Sequence, residues 1–129
     1  MDERTSRINR ERQLEQQLRE YNRQSKKIEE QLARNKQTAL KNEKEEERRV
    51  DSYQRQVNAL EQLSQRWKGR DAQSFMAECL QEENRFHRQR MFFIREKHQQ
   101  ISLEGRKLYS QQQAITKASR QLTSEERKK

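Results

Sequence analysis

The chain has 129 residues, 40% of them charged and only 28% hydrophobic, and its 30 basic and 21 acidic side chains leave a formal net charge of +9. So little apolar material cannot fill the interior of a globular enzyme domain, which typically takes about 45–50% apolar residues. Disordered chains of similar polarity are rich in proline, glycine and serine; this one has no proline and two glycines, and its Glu, Gln, Arg, Lys and Leu favour long helices with a thin apolar seam.

The first helix is expected over about residues 5–66. Leu14, Leu18, Tyr21, Ser25, Ile28, Leu32, Asn35 and Ala39 follow alternating steps of four and three, which place a stripe on one helix face and favour a coiled-coil seam. Lys41 to Arg49 (KNEKEEERR) supplies no apolar residue, and the pattern resumes at Val50, Tyr53, Val57, Leu60, Leu63 and Trp67. A turn is expected at 67–71, where Gly69 accepts the positive-φ backbone that ends a helix and Asp71 can cap the next one. A second helix then runs over about 72–124, with Leu80, His87, Ile94, Ile101, Leu108, Ile115 and Leu122 each seven apart, before a frayed, charged terminus at 125–129. Gly105 lies inside this period and reads as a weak or closely packed point of the helix.

The fold class is therefore all-α: an elongated, coiled-coil-like antiparallel hairpin of two helices with a Trp-x-Gly turn, one unit over 1–129. A hairpin requires facing residues to have nearly constant index sums. Leu14 with Leu122, Tyr21 with Ile115, Ile28 with Leu108 and Leu60 with Met76 each give 136, and Leu63 with Phe75 gives 138.

One place breaks the match between arms. The polar Lys41–Arg49 stretch faces His87–Arg95 (HRQRMFFIR), where Met91, Phe92, Phe93 and Ile94 are consecutive and point around nearly the whole helix. One facing helix covers only part of such a ring. Two readings stand: Phe93 and Ile94 form local core with Phe92 and Met91 half-exposed, or Phe86 and Met91–Ile94 form a belt that docks onto another protein. Trp67 also has two readings, the last seam residue and part of a family signature.

Catalysis finds no support: the sequence has no glycine-rich phosphate loop, nucleophile elbow or metal-binding helix signature, and a slim helix pair has no enclosed pocket. No catalytic residue, cofactor or metal is expected. Cys79 is alone, and with only His87 and His98 it makes no disulfide framework or zinc set. No run approaches the ~18 apolar residues of a membrane span. Met1-Asp2-Glu3-Arg4 opens without an apolar stretch, so the expectation is a cytoplasmic chain without a cleavable signal peptide.

The segment Trp67-Lys68-Gly69, preceded by Leu60 and Leu63 and followed by Ala72, Phe75 and Met76, resembles the turn of the WXG family, small helical hairpins of type VII secretion in Gram-positive bacteria and mycobacteria. The longer, charged arms and the stretch SQRWKGRDAQSFMAECLQEENRF are similar to WXG-like accessory proteins encoded beside LXG toxins. The resemblance implies a chaperone-like targeting protein that binds the helical N-terminal region of an LXG-type toxin, with a second small helical partner, for delivery to the type VIIb apparatus. Type VII substrates often carry Y-x-x-x-[DE]; here Gln113 stands four residues after Tyr109, which implies that any export signal comes from a second partner, with this chain either staying in the cytoplasm or leaving in complex with its cargo.

Two other classes remain open at this point. Arg85, Arg88, Arg90, Arg95 and Lys97 interleave with Phe86, Phe92 and Phe93, as phosphate contact and base stacking would need, but no nucleic-acid motif is present. The charges mix along both arms, 16 basic and 13 acidic (+3) up to Arg66 and 14 and 8 (+6) beyond, so nucleic acid is disfavoured. A coiled-coil stalk or chaperone of another secretion apparatus shares the architecture but leaves the Trp-Lys-Gly turn unexplained. Self-association through the phenylalanine belt is also open.

Overall fold

The computed structural model describes residues 2–128, with side chains through Glu125. Among the described residues there are two helices, α1 (Glu3–Arg66) and α2 (Arg70–Lys128), and no strand. The fold is an all-α helical hairpin. α2 begins at Arg70 and continues through the charged residues 125–128 that composition alone would leave frayed; residue 129 lies outside the described residues.

The reversal is shorter than the sequence suggests. Trp67 N donates to Leu63 O at 2.9 Å, the last turn of α1, and Gln73 N donates to Gly69 O at 3.0 Å, opening α2. Gly69, at φ +132°, therefore holds both the bend and the first carbonyl of α2. Asp71 is not the cap: it falls inside the first turn, where its charge complements the positive end of the helix dipole.

The packing divides into two compact units, an inner one of Gln37–Ser102 and a terminal one of Met1–Lys36 with Leu103–Lys129. In the terminal unit, Ile28 and Leu108 are buried, and Leu14, Leu18, Tyr21, Leu32, Ile115 and Leu122 are half-buried. Gln112 Nε2 donates to Ser25 Oγ across this pair at 2.8 Å. Gly105 sits against Asn35: a Cβ added there would lie 2.9 Å from Asn35 Oδ1. It is a closely packed helical glycine.

In the inner unit, Ala72, Met76, Met91 and Ile94 are buried, with Val57, Leu60 and Leu80 half-buried around them. The expected polar gap in α1 is not a gap in the seam. Asn42 is only 4% exposed and donates from Nδ2 to Ile94 O at 3.1 Å. Glu46, Arg49 and Tyr53 continue the four-and-three step half-buried, whereas Val50, where the apolar pattern resumes in sequence, is exposed. The heptad phase is carried by the helix itself, so it persists through residues that are not apolar. Register agrees with the constant sum: Asn42 with Ile94 gives 136, and Ser25 with Gln112 and Tyr53 with Asn84 each give 137.

Candidate functional site

Both places singled out in the sequence, the turn and the phenylalanine run, fall in the inner unit. At the turn, Trp67 lies just past the end of α1, and its ring meets Phe75 at 5.5 Å between centroids, tilted by 55°. Beneath them Ala72 and Met76 are buried, but Trp67, Phe75 and Leu63 each keep over two-fifths of their surface in solvent. Trp67 is thus a partial lid on the end of the seam rather than a buried wedge.

The run Met91–Ile94 separates cleanly. Met91 and Ile94 are three apart, share the seam face and are both 7% exposed, while Phe92 and Phe93 are 58% and 64% exposed. Of the two readings the sequence offers, the one with Phe93 in the core and Met91 half-exposed is corrected: the seam phase set by Leu80, His87 and Ile94 assigns these two positions the other way round. Of the five residues expected to meet a partner, Phe86, Phe92 and Phe93 stand outward, and Met91 and Ile94 serve the hairpin itself.

The outward rings have different surroundings. Phe86 is bracketed by two guanidinium groups, Arg90 at 5.1 Å and Arg49 of α1 at 5.9 Å from its centroid, so cation–π attraction already engages it. Arg49 also pairs within its own helix, Nε to Glu45 Oε1 at 3.2 Å. Phe92 and Phe93 have no such cover. Their rings meet edge to face at 6.0 Å, and a shallow hollow beside them is lined by Arg88 and Gln89 of the same helix.

The sequence placed Tyr53 and His87 in the stripes but did not show the polar contacts that support this face. Tyr53 donates its hydroxyl hydrogen to Asn84 Oδ1 and stacks on His87 at 4.0 Å, with 15° between ring planes. Together with the Asn42–Ile94 bond, these contacts hold α2 in one rotation about its axis, with Met91 inward and Phe92 and Phe93 outward. The signal was present: counting fours and threes onward from Ala39 lands on Asn42, Glu46, Arg49 and Tyr53.

Among the described residues, no three His, Cys, Asp or Glu side chains gather where they could share a metal ion, and no helix is long and apolar enough to cross a membrane. Cys79 is a half-buried free thiol. No family model matches the chain, and comparisons with curated proteins and with solved structures gave no match either.

Proposed function

We propose that this chain is a non-enzymatic accessory protein, chaperone-like in action, which binds the helical N-terminal domain of an LXG-type toxin and targets it to type VIIb secretion. The observation that carries this reading is the Trp67-Lys68-Gly69 reversal between two heptad-patterned helices, with Gly69 at a positive φ. Exposed Phe92 and Phe93 add supporting weight, because a helix pair that buries its own seam yet leaves two adjacent large rings in water has apolar surface to offer. The mechanism is helix-on-helix burial, with the surrounding charges selecting the partner. The protein travels with its cargo, and a second small helical partner completes the export-competent complex.

Co-expression with an LXG-type toxin encoded in the same gene cluster tests the reading. The helical N-terminal region of the toxin should co-purify with the chain in fixed stoichiometry; failure of any complex to form overturns the proposal.

A further inference from the structure

The outer face of α2 in the inner unit carries a second amphipathic pattern, separate from the seam. Arg85, Arg88, Gln89, Phe92 and Phe93 stand at i, i+3, i+4, i+7 and i+8, the spacing that gathers side chains on one helix face. Two shallow hollows share Arg88 and Gln89, one extending to Arg85 and the other to Phe92 and Phe93. Neither arginine has a hydrogen bond or ion pair among the described residues. Over 85–97 there are five Arg and Lys side chains against the single Glu96, a local charge of +4.

The geometry points to an acidic amphipathic helix of a partner protein as the occupant of this face. Its apolar residues cover Phe92 and Phe93, and its carboxylates meet Arg85 and Arg88, whose planar guanidinium groups suit paired acceptance by a carboxylate. Arg85 precedes Phe92 by seven residues, or about 10 Å at 1.5 Å per residue. The partner helix therefore carries its acidic residues one to two turns to one side of its apolar anchors. A second copy docking symmetrically through this face does not fit, because it would bring the same +4 segment against itself. A single-stranded nucleic acid fits less well, since the two rings pack edge to face on each other instead of standing apart with free faces for bases. On the cargo-binding reading, on which this inference rests, the acidic helix belongs to the toxin's N-terminal region.

Selection against the full chain from a displayed library of helical peptides with randomised surfaces tests this, beside a single-stranded oligonucleotide as competitor class. The selected peptides should combine an apolar stripe with clustered Asp and Glu. They should bind about tenfold or more weakly to chains carrying Phe92→Ser with Phe93→Ser, or Arg85→Gln with Arg88→Gln, and more weakly as salt rises. Circular dichroism should show both variants still helical, because all four side chains lie outside the seam. Failure to recover binders, peptides that are not acidic, indifference to both double substitutions, or tighter binding of the oligonucleotide at the same residues overturns the assignment. If the cluster toxin does not co-purify but the peptides behave as stated, the cargo reading falls and the acidic-helix surface stands. If the toxin co-purifies equally with the Phe92→Ser, Phe93→Ser chain and the peptides ignore this face, the surface falls and the cargo reading stands.

Discussion

Alanine substitution at two neighbouring positions, Phe93 and Ile94, should lower stability by unequal amounts. Ile94 is 7% exposed and sits in the seam, where its carbonyl also accepts from Asn42. Removing its side chain forfeits the transfer free energy of a buried isoleucine and leaves a void that a two-helix seam closes only in part, a cost of about 2–3 kcal/mol. Phe93 is the larger residue but 64% exposed. Roughly a third of a side chain of about 200 Å² is covered, which at about 25 cal/mol per Å² is under about 2 kcal/mol. Its hollow is lined by α2 alone, so part of that cover is local to the helix, and alanine recovers about 0.5 kcal/mol of helix propensity. The net loss expected for Phe93→Ala is below about 1 kcal/mol. Urea unfolding followed by circular dichroism and by Trp67 fluorescence, both read against the unsubstituted chain, measures the two variants. A Phe93→Ala cost equal to or above that of Ile94→Ala refutes the assignment of inward and outward faces.

Asn42→Ala should lower stability by about 1–2 kcal/mol, since it removes a buried hydrogen bond and opens the seam; an unchanged urea midpoint would show that the bond carries nothing. Gly69→Ala forces a Cβ onto a backbone at φ +132° and should cost about 1–3 kcal/mol, despite the open space around it. Thermal unfolding reads this, and a neutral result would mean that the turn relaxes to another conformation. At Gly105, the Cβ of alanine meets Asn35 Oδ1 at 2.9 Å. The helix gain of about 1 kcal/mol is offset by displacing that side chain, so Gly105→Ala should be close to neutral, whereas Gly105→Leu should lose about 1–3 kcal/mol. Equal stability of the two variants in urea would sink the close-packing account.

Composition and periodicity alone determined the helical class, the reversal at Gly69 and the register. A chain with so few apolar residues has one stripe to bury per helix, and of the offsets at which two heptad stripes align, the reversal at Gly69 selects one. Leu14, Ile28, Leu108 and Leu122 announce this because apolar residues repeated at heptad spacing mark a stripe that packs. The heptad of Leu80, His87 and Ile94 put Ile94 in the seam, but hydrophobicity is blind among Met91, Phe92 and Phe93 and did not say which of them turns inward beside it. Nor did it reveal that Glu46 and Arg49 keep the seam, because a pattern read from apolar residues stops where they stop. Tertiary structure settled both through the facing helix: Ile94 O meets the amide of Asn42, His87 stacks on Tyr53, and the rotation so imposed on α2 leaves Phe92 and Phe93 in water. Face selection is a property of the pair of helices, since only a neighbour defines which side of a helix is inside.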